Sequence, residues 1–148
     1  MRLSAAVLRC HRAVTELHKR GIKVIVHLIL GLPGETKEMM RASVSYAAAL
    51  PVFGMKLQLL HILKGTDLHT YYESHPFDTF TLDDYCDFVT ECVALLPPDI
   101  VIHRLTGDGP KKLLAAPLWS ADKKRVLNQL QRTFREKDIW QGKYYPQS

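Results

Sequence analysis

A glycine-rich turn at residues 31–34 carries the clearest chemical signal in this sequence. The turn reads Gly-Leu-Pro-Gly, follows the apolar run 24–30 and precedes Thr36, a residue type that begins helices. Glycine lets a backbone turn tightly and approach a ligand, and free N–H groups at a helix start can hold a carboxylate, a ribose hydroxyl or a phosphate. The pattern predicts a ligand-binding turn, although plain turn glycines share it. Glu35 and Thr36 are interpreted as capping residues and not as catalysts.

Two polar residues lie inside apolar runs that are predicted to be strands. His27 alternates with Ile25 and Ile29 on one strand face. It either points inward to contact a substrate or is a hydrogen-bonded core histidine. Gln58 shares a face with apolar neighbours in the next run, where a buried amide must be hydrogen-bonded. In a barrel lumen such a residue is often functional.

Four further candidates follow the ends of predicted strands. His61 and Lys64 lie at the carboxyl end of the second strand, where barrel enzymes place their sites. Lys64 either meets a carboxylate or phosphate or is a solvated loop lysine. Arg104 and Asp108 flank a Leu-Thr-Gly turn after the third strand. They form a structural ion pair or orient a substrate at the mouth of the site.

Apolar spacing predicts the elements that would position these residues, in the order helix, strand, helix, strand, helix, strand, helix. The first helix has an apolar stripe and ends at Gly21, and the last is capped by Ser120. The first stripe consists of Leu3, Val7, Cys10, Val14 and Leu17, and the last of Val126, Leu127, Leu130 and Phe134. The strands are predicted over residues 23–30, 56–63 and 100–105, the second helix over 37–50 and the third from Thr81 to Leu96.

Strict alternation of helices and strands predicts parallel strands joined by right-handed crossovers, which is an α/β fold. The first strand lacks clean apolar alternation, so we expect both of its faces to be covered. Three strands cannot close a barrel, and the chain begins on a helix. We therefore expect part of a larger barrel or sheet, whose open edge at residues 23–30 is covered by another copy, by swapping or pairing.

Composition excludes several classes of protein. The chain has 148 residues, 47% of them hydrophobic, which is typical of one ordinary globular domain. Three cysteines do not make a disulfide framework, so we expect a cytoplasmic, reducing setting in which they pack as small hydrophobes. No apolar stretch is long enough for a membrane span, and we find no signal peptide.

Positive charge is concentrated near the carboxyl end. Residues 1–110 hold 11 Lys or Arg against 12 Asp or Glu, whereas residues 111–148 hold nine against three. A basic end indicates either an RNA or DNA partner or a solvated helix face.

An irregular segment over residues 67–80 is rich in aromatic residues, which either stack on bases or form a satellite core. These residues are Tyr71, Tyr72, Phe77 and Phe80.

Three motifs in this order resemble the C-terminal half of the radical S-adenosylmethionine (radical SAM) superfamily. They are residues 28–36, residues 60–66 and residues 104–108. The branch that the chain resembles is that of bacterial predicted Fe–S oxidoreductases, relatives of the elongator and tRNA methylthiotransferase types. The resemblance implies an incomplete TIM-like (β/α) barrel fragment. In the partial (β/α)6 barrel of the superfamily, residues 23–30 would be the fifth strand and residues 56–63 the sixth, with residues 100–105 as an added strand.

The resemblance also implies which residues contact the cofactor, S-adenosylmethionine (SAM). The turn after the fifth strand lies against its adenosine, and the end of the sixth strand lies against the adenine. This carries over to His27, Ile29, Gly31, Leu32, Pro33, Gly34, His61, Ile62 and Leu63. The candidates for substrate contact, from their positions alone, are Gln58, Lys64, Arg104 and Asp108.

The chain departs from the superfamily in one respect that concerns catalysis. The C-x3-C-x2-C motif that binds the [4Fe–4S] cluster is missing, and Cys86 and Cys92 are six residues apart. The Gly-Gly-Glu segment that holds the methionine end of SAM is also missing. We therefore expect a SAM-side fragment, with residues 1–110 in the barrel and residues 111–148 as a basic helical extension. The parent would bind SAM and the cluster, and this chain alone would not cleave SAM.

A second hypothesis is a binding module without catalysis. In that case the glycine turn holds a nucleotide-like ligand, and the basic end contacts RNA. The residues that would contact RNA are Lys111, Lys112, Lys123, Lys124, Arg125, Arg132 and Arg135. Such binding would weaken steeply with salt.

Overall fold

Helices alternate with parallel strands along most of the chain. The structure is a computed structural model, and it describes residues 5–146. The five helices are α1 (Ala5–Lys19), α2 (Lys37–Ala48), α3 (Asp67–Ser74), α4 (Leu82–Ala94) and α5 (Lys123–Glu136). The five strands are β1 (Ile25–Leu30), β2 (Gly54–Leu59), β3 (Ile62–Leu63), β4 (Val101–Arg104) and β5 (Leu114–Ala116). Short 3-10 helices at Lys111–Leu113 and Leu118–Ala121 flank β5.

The three longer strands form a parallel sheet in the order β1-β2-β4, as the alternation of elements predicts. Its core face carries Leu30, Met55, Leu57 and Leu59, which are buried against apolar residues of α2, α4 and α5. The opposite face, called the open face below, is exposed at Ile25, His27 and Ile29. The expectation that both faces of the first strand are covered is therefore wrong for the described residues, because every second side chain of β1, at residues 25, 27 and 29, is exposed.

The predicted strand over residues 56–63 is two strands. After β2 the backbone N–H of Leu60 still donates to the carbonyl of Leu30, at 2.9 Å, and the chain then leaves the parallel sheet. Ile62 and Leu63 pair instead with β5 in a small antiparallel sheet. β5 was missing from the prediction because three residues are too few to show a period in a sequence.

The irregular segment predicted over residues 67–80 contains α3. Thr66 caps this helix, with its Oγ1 accepting a hydrogen bond from the N–H of His69 at 3.2 Å. A threonine followed by an acidic residue is an ordinary helix start, so the signal was available and was missed. The aromatic residues pack with protein neighbours: Tyr71 stacks on His75, Tyr72 meets Phe77 edge-on, and Phe80 stacks on Phe88.

Most of the predicted helix ends are confirmed. Thr36 and Thr81 accept hydrogen bonds from the N–H groups of Met39 and Asp84. Gly21 has φ +72°, and the N–H of Ile22 donates to the carbonyl of Leu17, which is the six-residue closure typical of a glycine-ended helix. In the apolar stripe predicted for α1, only Val14 is buried, Cys10 and Leu17 are exposed, and Leu3 lies outside the described residues.

The predicted cap of the last helix is wrong. Asp122, not Ser120, caps α5, with its Oδ1 accepting from the N–H of Arg125 at 3.0 Å. The Ser120 hydroxyl donates to the carbonyl of Pro117 instead, because a 3-10 helix intervenes. In the predicted stripe of α5, Val126 and Leu130 are buried in the common core, whereas Leu127 is 42% exposed.

This corrected cap is testable by a pair of alanine substitutions. Asp122→Ala removes the side chain that satisfies a free N–H and faces the positive end of the helix dipole, so we expect a loss of about 1 kcal/mol in the free energy of unfolding. Ser120→Ala is expected to change it by less than about 0.5 kcal/mol. Urea denaturation of both variants measures the difference. Equal losses in the free energy of unfolding for Asp122→Ala and Ser120→Ala would contradict the assignment of Asp122 as the cap.

Among the described residues, no helix combines the length and the apolar character needed to cross a membrane.

Candidate functional site

A cleft opens at the carboxyl ends of the parallel strands. Its volume is about 240 Å³. The cleft brings together five of the residues that the sequence nominated from separate segments: Ile29, Gln58, His61, Arg104 and Asp108. Ligands of parallel α/β sheets bind at this end because the loops after the strands meet there.

His61 has an unsatisfied hydrogen-bonding group in this cleft. Its Nδ1 accepts a hydrogen bond from the backbone N–H of Gly109, at 3.2 Å. Burial lowers the pKa of His61 from its ordinary value of 6.5, and the nearby carboxylate of Asp108 opposes this only in part. The neutral ring with Nδ1 as acceptor carries its proton on Nε2. This Nε2 is buried beside Gly107 and has no partner among the described residues, so His61 carries one unsatisfied N–H donor at the edge of the cleft.

Two glycines leave the space that the His61 ring occupies. A Cβ added at Gly107 would lie 2.2 Å from His61 Nε2, and one added at Gly109 would lie 2.7 Å from Nδ1. Both are closer than real Cβ contacts, so only glycine fits beside the ring as it stands. In the sequence this Gly-Asp-Gly segment follows the third predicted strand, and its two glycines were assigned no role there. The available signal was the pair of glycines on either side of a candidate acid.

Arg104 and Asp108 form the ion pair that the sequence offered as one alternative. The guanidinium Nη2 lies 3.0 Å from the Asp108 carboxylate, whose other oxygen is 3.7 Å from Lys123 Nζ. Both residues also line the cleft, so the structural pair is part of the candidate site. An exposed pair of this kind contributes little stability by itself, and its effect is to orient the Arg104 guanidinium.

The glycine turn is held by contacts of its own. Gly31 and Gly34 have φ of +89° and +74°, which glycine adopts readily. The N–H of Gly31 donates to Met40 Sδ at 3.2 Å, and the N–H of Leu32 points to Glu35 Oε2 at 3.4 Å. Burial raises the pKa of Glu35, although hydrogen bonds from the turn lower it in part. Glu35 therefore holds the turn together, and these two N–H groups are not free for a ligand.

The structure separates several of the predicted residues from the cleft. The Ile62 side chain is fully buried in β3, so it offers a ligand no accessible surface. Leu63 is half-buried, with its Cδ2 beside Gly109, and Leu32 and Gly34 are exposed. Lys64 lines a different groove, together with His69 and Tyr72. His27 lies on the open face of the sheet, two residues before Ile29.

The cysteines form no metal or cluster site. Cys86 and Cys92 are buried in α4, where burial raises the pKa values of their thiols to about 11 and about 12. They pack as small hydrophobes, as predicted, whereas Cys10 is exposed. Across residues 5–146, no three His, Cys, Asp or Glu side chains are grouped so that they could hold a metal ion.

The basic residues of the carboxyl-terminal part lie on the surface. Lys111, Lys112, Lys124, Arg125 and Arg132 are all exposed. α5 packs on α4 through Val126 and Leu130, so its charged side faces outward. RNA binding by this surface stays a prediction, as does pairing of the β1 edge with another copy.

Comparison with known proteins identifies relatives of the chain. It is 39% identical over 132 residues to the uncharacterised protein YtqA of Bacillus subtilis, covering 89% of this chain and 41% of that protein. It is 31% identical over 131 residues to the protein YhcC of Escherichia coli, covering 88% and 42%. Elongator complex protein 3 of Homo sapiens is 26% identical over 99 residues, covering 65% of this chain and 18% of that protein. The chain thus spans about two fifths of the length of YtqA and YhcC.

A solved structure shares the fold. The archaeal Methanocaldococcus infernus Elp3 with an N-terminal deletion superposes with a TM-score of 0.71 at 17% identity, covering 89% of this chain and 31% of that one. The likeness confirms the predicted α/β class with parallel strands alternating with helices. Residues 52–136, more than half of the chain, match the radical SAM C-terminal domain. This chain belongs to the radical SAM C-terminal domain family.

Proposed function

We propose that this chain forms the SAM-side wall of a radical SAM enzyme, and that its cleft receives the adenosine end of the cofactor. One observation carries the proposal. The cleft at the carboxyl ends of β1 and β2 holds a half-buried histidine whose buried Nε2 has no partner among the described residues. A nucleoside offers ring nitrogens and hydroxyl oxygens that would accept this hydrogen bond.

Each element beside His61 has a role in this proposal. Ile29, which is 47% exposed, offers an apolar surface against which a purine can pack. The Gln58 amide lines the same cleft and can donate or accept a hydrogen bond. The turn at residues 31–34 follows β1 directly, and its φ values depend on its two glycines. These residues would bind and orient the cofactor, and the chemistry would be the cofactor's own.

The described residues do not fit the iron–sulfur cluster that the family implies for the parent enzyme. Such a cluster is held by cysteine thiolates. Two of the three cysteines here are buried in a helix with raised thiol pKa values, and the third is exposed in another helix. In an intact radical SAM enzyme, SAM and a [4Fe–4S] cluster supply hydrogen-atom abstraction. We propose that the isolated chain does not cleave SAM.

Calorimetric titration of the chain with S-adenosylhomocysteine tests the proposed half-site. We expect weak binding that His61→Phe reduces about tenfold, because one buried hydrogen bond of ordinary strength is lost. His75→Phe is the matched control, since His75 is exposed in a stack with Tyr71 that phenylalanine preserves. Circular dichroism shows whether both variants are folded. Equal affinities of the two variants, or no binding by the unaltered chain, would contradict the proposal.

A further inference from the structure

Three nitrogen-bearing side chains form a row across the open face of the parallel sheet. The register aligns His27 of β1 with Lys56 of β2, and Lys56 with Arg104 of β4. β4 contains a bulge between Ile102, which pairs with Met55, and Arg104, which pairs with Lys56. The bulge brings Arg104 into this row. Neighbouring strands lie about 4.8 Å apart, so the row spans about 10 Å. We call it the cationic row, after the charges of Lys56 and Arg104.

The row lies on the same face as the cleft. Val26, Leu28, Met55 and Leu57 belong to the core face, so His27 and Lys56, which alternate with them, point to the open face.

Ile29 and Gln58, two residues further along the same strands, line the cleft together with Arg104. Two residues of a strand cover about 6.6 Å. A molecule bound in the cleft therefore has the cationic row within reach.

Positive charge exceeds negative charge around this row. Asp108 is the single acid among the residues that line the cleft, and both Arg104 and Lys123 contact it. Lys56 is half-buried and has no ion pair with any described residue. Like charges on directly opposed residues of neighbouring strands destabilise a sheet. An anion bound beside Lys56 and Arg104 would reduce the repulsion between their charges.

We infer that the cationic row binds an oxyanion group, a phosphate or a carboxylate, of the molecule on which the enzyme acts. Arg104, oriented by Asp108, presents a planar fork that suits two oxygens. Lys56 adds a point charge from the central strand, and the His27 imidazole adds a hydrogen-bonding nitrogen from the edge strand. The inference rests on the proposed function, since it specifies the substrate chemistry of the same site.

Titration of the ¹⁵N-labelled chain with inorganic phosphate and with acetate, at constant ionic strength, tests the inference. We expect the amide signals of residues 27–29 and 56–58 to shift. Lys56→Gln is expected to weaken binding of the preferred anion about tenfold, because a charged hydrogen bond is lost. Lys124→Gln, which removes the same charge from an exposed site on α5, is expected to change it less than about twofold.

The two anions and S-adenosylhomocysteine separate the outcomes. Tighter binding of phosphate indicates a phosphorylated substrate, and tighter binding of acetate indicates a carboxylate substrate. Equal weakening by Lys56→Gln and Lys124→Gln, or signal shifts confined to α5, would overturn the inference. Displacement of the anion by S-adenosylhomocysteine would also overturn it, because the row would then bind the carboxylate of the cofactor. If the anion binds and S-adenosylhomocysteine does not, the proposed function fails and the anion site remains.

Discussion

Replacing Leu57 by alanine is expected to lower the free energy of unfolding by about 2–5 kcal/mol. Leu57 lies in the central strand of the parallel sheet, and its side chain is fully buried in the common core. Its truncation removes apolar burial and leaves a cavity that a packed core fills only in part. Denaturation in urea, with the slope and the midpoint both measured, gives this value.

Gln58→Ala is the matched control for Leu57→Ala. Gln58 is the next residue of the same strand, but it points to the open face and lines the cleft. We expect this substitution to cost less than about 1 kcal/mol, since its side chain is half-exposed. Similar losses for the two variants would mean that the second face of the sheet is also packed in solution. That result would favour the sequence-based expectation of two covered faces.

Substituting Gly107 by alanine is expected to destabilise the chain by about 1–3 kcal/mol and to weaken ligand binding in the cleft about tenfold, as His61→Phe does. The added Cβ would lie 2.2 Å from His61 Nε2 and 2.3 Å from Cε1, so the ring must move. Such overpacking costs this much because neighbouring atoms must shift. Gly107 is not among the glycines with positive φ, so backbone strain does not add to the cost.

A double-mutant cycle with His61→Ala isolates the contact. If the clash with the imidazole causes the loss, Gly107→Ala should cost less than about 0.5 kcal/mol once the ring is absent. Gly34→Ala serves as a comparison, because no atom lies within 4 Å of its added Cβ and only its φ of +74° opposes the change. An unchanged cost of Gly107→Ala in the His61→Ala background would show that the ring is not what excludes a side chain there.

The local elements were predictable because their signals lie within a few residues. Thr36 and Thr81 begin helices by accepting a hydrogen bond from an N–H three residues later. Gly21 ends a helix by adopting a positive φ. The predictions were wrong where the secondary structure of a segment depends on a pairing partner far away in the sequence. Residues 56–63 continue one apolar pattern, but Ile62 pairs with Ala116, which is more than fifty residues away.

The candidate site was predictable as a set of residues and not as an arrangement. Position after apolar strands indicated His61, Arg104 and Asp108, and the cleft contains all three. Lys64 satisfied the same rule but lies in another groove, because the chain turns into the small antiparallel sheet at Ile62. A rule based on strand ends cannot distinguish these outcomes, since it contains no information about where the chain goes next.

The sequence by itself determined the α/β class, the family and the residues that could do chemistry, because periodicity, caps and motifs are properties of neighbouring residues. Only the tertiary structure decided which sheet face is open, where the His61 ring lies between two glycines, and how His27, Lys56 and Arg104 align. These features depend on strand register and helix packing between residues far apart in the chain. The hydrophobic pattern of a strand indicates which of its faces is buried, but which residues of two distant strands lie opposite each other also depends on how whole elements pack.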